Sequence, residues 1–230
     1  EKVKLFQSLS YGALILKEHR IKSPDPAQLQ AALCGMLSQQ GIHKLPWQAE
    51  HKQWLARLGF AHRQDPDHWP AISIETLSQN VESWLGPFLT GVQALSEIRP
   101  EILQQALDYL LGYEKSTELK AVAPTHIQVA SGSSVRLDYT QGDIPVLAVR
   151  LQEVFGLQQT PTIYKNQVML MMHLLSPARR PIQVTQDLQS FWENTYHDVK
   201  KELKGRYPKH YWPDNPLEAE PTARIKPRKT

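Results

Sequence analysis

A chain of 230 residues with 41% hydrophobic and 21% charged residues can bury a sizeable core and has the length for two domains. Its longest apolar runs, such as 168–175, are too short to cross a bilayer, which excludes a membrane-spanning chain. The formal net charge of +3 is unevenly spread. Residues 1–120 carry 12 Lys/Arg against 13 Asp/Glu and residues 121–178 carry 3 against 3, whereas residues 179–230 carry 11 against 7, a net of +4. That asymmetry points to an anionic partner for the C-terminal end. Cys34 is the single cysteine, so no internal disulfide forms, and a reducing, cytoplasmic compartment is expected. Its apolar neighbours Ala31, Ala32, Leu33, Met36 and Leu37 mark it as a small buried residue rather than a nucleophile. The start shows no secretory pattern. With Glu1 in a strand-like run and no initiator Met, it reads as a piece cut from a longer chain.

In chain order, Val3 to Phe6 and Tyr11 to Ile15 read as two short strands around a polar turn, Gln7 to Ser10. An isolated hairpin is marginal in water, so residues 1–22 are expected to end an upstream sheet. Ser23-Pro24-Asp25-Pro26 supplies an N-cap Asp with Pro at the first helical position, followed by the stripe Leu29, Leu33, Met36, Leu37. Pro46 opens a second helix with Trp47, Trp54, Leu55 and Leu58 on one face, and Asp65 to Pro70 is a turn. Ile74, Leu77, Val81 and Trp84 form a third stripe, Phe88 to Ile98 a short fourth helix, and Pro100 to Leu110 a fifth. Residues 23–122 are thus expected to be a helical bundle, with Trp47, Trp54, Trp69 and Trp84 in or near its core.

From Ala123 the pattern changes. Thr125 to Val129 and Val135 to Tyr139 are β-branched alternating runs joined by Ser131-Gly132-Ser133, a hairpin signal. Pro145 to Phe155 reads as a short helix closed by Gly156. Thr162 to Tyr164 and Val168 to Leu174 bracket a hairpin turn at Lys165-Asn166; Ser176 to Arg180 is a loop, and Pro181 to Thr185 is extended. A final helix starts near Thr185 or Asp187, carries Leu188, Phe191, Trp192, Thr195, Val199 and Leu203, and ends at Gly205. Gly205 to Pro216, with three prolines, three aromatic rings and three basic residues, is neither helix nor strand; its rings need a surface to lie on. Residues 217–230, polar and poor in apolar side chains, read as a disordered basic tail. The fold class is α+β: a helical bundle, then a mixed β-rich domain over residues 123–216, closed by a long C-terminal helix.

Three runs in this second half carry a family resemblance. Val146-Leu147-Ala148-Val149-Arg150-Leu151-Gln152-Glu153-Val154-Phe155-Gly156, Leu174 to Thr185 (Leu-Leu-Ser-Pro-Ala-Arg-Arg-Pro-Ile-Gln-Val-Thr) and Lys204 to Pro213 (Lys-Gly-Arg-Tyr-Pro-Lys-His-Tyr-Trp-Pro) resemble the C-terminal region of the bacterial HrpB helicases. Those are ATP-dependent homologues of the DEAH/RHA-type RNA helicases. Ile127 to Ser133 and Val135 to Tyr139 fit as well, and Tyr11 to Leu16 resembles the end of the family's OB-like region. The resemblance implies single-stranded RNA as partner, and ATP with Mg²⁺ as cofactors of the full-length helicase. Motors of this class need a Gly-Lys-Ser/Thr phosphate loop and an acidic pair for Mg²⁺. This chain has neither a Gly-Lys nor an Asp-Glu dipeptide, so it is expected to be the non-catalytic end, with no cofactor of its own.

The cations expected to meet phosphates are Arg179, Arg180, Lys200, Lys201, Lys204, Arg206 and Lys209, those on the closing helix lying on its solvent side. Tyr207, Tyr211 and Trp212 are candidate base-stacking rings. The plainer reading of the same residues is a soluble, dipole-complementing helix end with rings that dock the segment on its own domain. His126, His173, His197 and His210 are scattered without a ligand spacing, so no metal site is expected. Asp138, Asp143 and Glu153 lack a nucleophile or acid partner, and Ser131-Gly132-Ser133 is a turn rather than a nucleophile elbow. A second role, a module that docks the helicase on a protein partner, fits the same composition.

Overall fold

The structure is a computed structural model that describes residues 4, 6–21 and 25–225. The chain divides into two compact units, residues 1–55 with 70–117 and residues 56–69 with 118–230. The division falls inside a helix that sequence periodicity assigns wholly to the bundle.

The first unit opens with an antiparallel hairpin, β1 (Phe6–Tyr11) and β2 (Leu14–Arg20). The reversal is at Gly12, which holds φ +59 at no steric cost. The expected turn at Gln7 to Ser10 is therefore strand instead, while Val3 and Leu5 of the expected first strand, and Ser23 and Pro24 of the expected helix start, lie outside the described residues. Helix α1 (Pro26–Gln40) starts as its sequence requires, with the Asp25 carboxylate accepting from the Ala27 amide and Pro26 at the first position. It buries Leu29, Leu33, Cys34 and Leu37.

Helix α2 (Ala49–Gln64) follows, then α3 (Ile74–Gln79), which begins with a reciprocal capping box between Ser73 and Thr76. Next come α4 (Val81–Trp84) and α5 (Pro100–Leu111). Trp84 is buried with its indole N–H donated to the Leu77 carbonyl; Trp54 is buried with its indole N–H donated to Asp108; Trp47 is only half-buried. The helix expected over Phe88 to Ile98 is instead two separate 3₁₀ turns, Gly86–Phe88 and Leu95–Glu97, parted by Gly91 at φ +82, which a continuous helix does not accommodate.

The second unit contains the last part of α2, Trp69 and the second half of α6 (Tyr113–Val122), whose final residues anchor Arg57. The Arg57 guanidinium is buried, donating from Nε to the Ala123 carbonyl at 2.8 Å. The remainder is a five-stranded mixed sheet in the order β3 (His126–Gln128), β4 (Ser134–Asp138), β5 (Val146–Arg150), β8 (Met171–Leu175), β9 (Pro181–Thr185). A small hairpin, β6 (Thr162–Ile163) and β7 (Val168–Met169), precedes β8. All pairs in the large sheet are antiparallel except β5 with β8.

Strand β5 is the main local departure from expectation: residues 145–155 are not a helix. Val146 to Arg150 is a strand between β4 and β8, and Leu151–Glu153 a single 3₁₀ turn. Val146, Val149 and Val154 match a helical stripe by spacing, but β-branched side chains favour the sheet once neighbours exist on both sides. One face of the sheet buries Leu137, Leu147, Val149, Met172 and Leu174.

The chain then enters the closing helix. Asp187 caps α7 (Leu188–Ser190) by accepting from the Ser190 amide. A π segment (Phe191–Thr195) leads into α8 (Tyr196–Arg206), which runs one residue past the expected stop at Gly205. The wider turn lags an α-helix by about one residue. Tyr196 is consequently fully buried and Thr195 only partly so. Phe155 lies at the centre of the resulting ring cluster with Trp192, Tyr196 and Tyr211.

Residues 217–225 correct the expectation of a disordered tail. The Thr222 amide donates to the Gln152 carbonyl at 2.8 Å, the Ile225 carbonyl accepts from the Tyr211 amide at 3.0 Å, and Ala219 and Thr222 are buried. The five residues that end the chain, 226–230, lie outside the described residues.

Candidate nucleic-acid interface

The turn Ser176 to Arg180, between β8 and β9, organises the candidate site. The Ser176 amide donates to the Arg180 carbonyl at 2.8 Å, and the Ser176 hydroxyl accepts from the Arg180 amide at 3.1 Å. Ser176 itself is buried. The Arg179 amide closes the turn onto the Ser176 carbonyl at 2.8 Å. These bonds hold two consecutive exposed arginines on a fixed backbone, with Arg179 in the left-handed region at φ +59.

The two arginines serve different cavities. Arg180 lines a cavity of about 230 Å³ together with Ser176, Glu202, Leu203, Arg206 and Tyr207. Arg179 lines a separate one with Arg136 and Arg150. The first therefore joins three expected site residues, Arg180, Arg206 and Tyr207, from the turn and from the end of α8. Arg206 pairs with Glu202 at 3.2 Å, one helical turn earlier, both exposed. Such a pair is weak, and an incoming phosphate can displace its carboxylate. Lys204 and Lys209 are exposed, with no ion pair among the described residues; Lys201 faces Asp198 at 3.5 Å in an equally exposed pair.

Three expected site residues are used for structure instead. The Lys200 ammonium pairs with Asp214 and its side chain is only 13% exposed, so it is not on an open helix flank. The hydrogen bond and charge of Lys200 hold the Asp214 carboxyl below its ordinary range. Trp212 is buried and donates its indole N–H to the Tyr207 carbonyl at 3.0 Å. Tyr211 is half-buried with its ring edge-on to Phe155, while its carbonyl accepts from the Gln152 side chain at 3.0 Å. An aromatic ring must offer a free face to stack a base. The cost of leaving rings in water docked Trp212 and Tyr211 on their own unit instead. Tyr196 completes that docking by donating its hydroxyl to the Pro213 carbonyl at 2.9 Å. His210, pushed down by burial and by the Arg150 charge, is a neutral imidazole at pH 7. Its Nδ1 lies 3.1 Å from Gln152 Oε1, so Nδ1 is the protonated nitrogen.

Glu153 is a further buried charge that the sequence leaves without a partner. Its carboxylate accepts from Arg150 Nε at 2.7 Å and from the Ser131 hydroxyl at 3.1 Å. Burial alone would raise its pKa, but bonds from Ser133, Arg150 and Ser131 and the Arg150 charge outweigh burial and hold it below the ordinary carboxylate range. The unfolded chain therefore takes up this proton first. Glu153 stabilises the fold fully above the ordinary glutamate pKa of about 4.3, and its contribution is lost as pH falls through the lower folded value. Urea midpoints of the parent and of Glu153→Gln should differ clearly at pH 6 and converge below about pH 4. A gap that stays constant over that range would contradict the assignment.

The HrpB_C family, described as ATP-dependent helicase C-terminal, matches residues 84–216. The chain belongs to this family. Over 225 residues it is 40% identical to an ATP-dependent RNA helicase HrpB of Escherichia coli K12. The aligned part is 97% of this chain but 28% of that relative, so the chain spans a little over a quarter of the curated relative's length. A crystal structure of E. coli DExH-box NTPase HrpB superposes with a TM-score of 0.84 at 40% identity, covering 95% of this chain and 27% of that one. A crystal structure of the Escherichia coli DEAH/RHA helicase HrpB superposes with a TM-score of 0.73 at 38% identity, covering 90% and 26%. The α+β architecture with its closing helix is thus that of the HrpB C-terminal region. The HrpB_C match contains the 176–180 turn and both cavities, and stops before the docked segment 217–225. Among the described residues, no helix is long and apolar enough to cross a membrane and no group of His, Cys, Asp or Glu could hold a metal ion.

Proposed function

We propose that this chain is the accessory C-terminal part of an ATP-dependent, HrpB-type RNA helicase and that it holds single-stranded RNA for the motor. The observation that carries this reading is the convergence of Arg180, Arg206 and Tyr207 on one cavity beside the exposed Lys204 and Lys209. Guanidinium groups suit phosphate because their planar fork donates two bonds at once. The half-buried Tyr207 is the one expected stacking ring in that cavity; its carbonyl, held by the Trp212 and His210 N–H groups, keeps the backbone beneath it fixed. ATP and Mg²⁺ belong, on this reading, to the motor portion, since this chain carries no Gly-Lys pair for a phosphate loop.

Fluorescence anisotropy of the 230-residue chain with a short single-stranded RNA, over a salt series, tests the proposal. With Arg180, Lys204, Arg206 and Lys209 each neutralising one phosphate, log K should fall with log salt at a slope of about −3. No binding at the lowest salt would overturn it. A slope near zero would do so too, and would favour a protein partner instead.

A further inference from the structure

The second cavity has a different floor and takes only Arg179 from the expected site. Strand alternation and the β4–β5 and β5–β8 registers put Ser134, Arg136, Ala148, Arg150 and Leu175 on the sheet face opposite to the buried Leu137, Leu147, Val149 and Leu174. That face is open: Ala148 and Arg136 are exposed although they lie in central strands. The cavity above it measures about 430 Å³ and is lined by Arg136, Arg150, Arg179 and Glu153 with Ser133 and Ser134. Val135, Val149 and Leu175 complete the lining, and the floor at Ala148 is a single methyl group.

Three guanidinium groups stand there against one carboxylate. That carboxylate is occupied, with Oε1 taken by Arg150 Nε and Oε2 by the Ser131 hydroxyl. Glu153 thus acts as a positioning residue. It fixes the Arg150 side chain through one nitrogen and leaves the terminal N–H groups of that guanidinium for another acceptor. Arg179 enters from the turn and makes no ion pair among the described residues. It does so from φ +59, where glycine or asparagine costs less. The excess of guanidinium groups over carboxylates selects against a cation.

We propose that this cavity is an anion site that takes a phosphate group of single-stranded RNA, gripped by Arg136, Arg150 and Arg179 over Ala148. The RNA source rests on the function proposed above; the anion chemistry does not. The cavity admits a phosphate with its sugar attached, so the group is either an internal phosphodiester or a 5′-terminal phosphate.

The test begins with inorganic phosphate, titrated into the isotope-labelled 230-residue chain at constant ionic strength. The Arg150 Nε–H and the Ala148 methyl resonances should shift and saturate. Ala148→Glu places a carboxylate on the floor, and Arg179→Asn removes a cation at a backbone angle that asparagine tolerates; each should weaken phosphate at least about tenfold. Neither position is buried, so both variants should keep the parent's fold, which the remaining spectrum reports. A short single-stranded RNA is then compared with a 5′-hydroxyl and with a 5′-phosphate end. Equal affinity assigns an internal phosphodiester, whereas a tenfold preference for the phosphate end assigns the terminus.

Absence of saturable shifts overturns the anion site, as does phosphate affinity unchanged in both variants; RNA binding that persists then leaves the function proposed above intact. Saturable phosphate shifts with no RNA binding at low salt keep the anion site and overturn the RNA source, together with the function proposed above.

Discussion

Phe155→Ala should lower the stability of the second unit by about 3–5 kcal/mol. Phe155 is fully buried, lies two residues past the 3₁₀ turn after β5, and meets Trp192, Tyr196 and Tyr211 at ring-centroid distances of 6.2 Å each. The contacts with Tyr196 and Tyr211 are nearly perpendicular, at 88° and 84°, the edge-to-face arrangement that aromatic quadrupoles favour. Removing the ring takes away its own burial and leaves a void between three large side chains. Two of them are tied by hydrogen bonds, from the Trp192 indole to the Leu157 carbonyl and from the Tyr196 hydroxyl to the Pro213 carbonyl, which limits collapse into it. Urea unfolding measures the effect as a shift in midpoint at constant slope. Tyr113→Ala is the control: that ring is 86% exposed and its loss should cost less than about 0.5 kcal/mol. A loss below about 1 kcal/mol for Phe155→Ala would mean that the cluster does not hold the closing helix as described.

The double variant Arg180→Gln/Arg206→Gln should weaken single-stranded RNA about a hundredfold at low salt. Each guanidinium in the smaller cavity is expected to supply one charge-assisted hydrogen bond, at about 1.5–3 kcal/mol apiece. Two of them lost together give at least about 3 kcal/mol, or two decades in affinity. Stability should barely move, because both side chains are exposed and the Arg206–Glu202 pair is a surface one. The salt slope should become shallower by about 1.4, which is two phosphate contacts on a single strand. Unaltered affinity, with an unaltered slope, would remove the smaller cavity from the interface.

The order of elements was largely legible in the sequence, because punctuation and period agreed there. Asp25-Pro26 and Asp187 each announce a helix start that the structure realises with a side-chain cap. Ser131-Gly132-Ser133 and Lys165-Asn166 each announce a hairpin. Strand β5 was not legible: Val146 is buried although it shares a face with the exposed Ala148, which breaks the alternation, and its valines also fit a helical stripe. That misreading hid Arg150. It lies on an open sheet face, beside Arg136 from another strand, only if residues 146–150 are extended. Along the closing helix the cations were legible as residues but their partners were not. Asp214 lies beyond the helix end and reaches Lys200 only after the chain has turned back at Tyr207 to Pro213. The aromatic segment 207–212 shows the same limit: its composition says that the rings must rest on something, and packing decided that Trp212 rests on its own unit.

The docked stretch 217–225 separates two boundaries that usually coincide. The HrpB_C match ends at residue 216, yet the polypeptide continues to wrap, giving Gln152 and Tyr211 the backbone partners they would otherwise seek in water. A gene trimmed at that boundary would discard the strap and unseat Ala219 from beside Gly156, where an added Cβ would come within ordinary contact of the Leu217 and Ala219 carbonyls. For anyone dividing such helicases into expressible pieces, the scissors belong after residue 225.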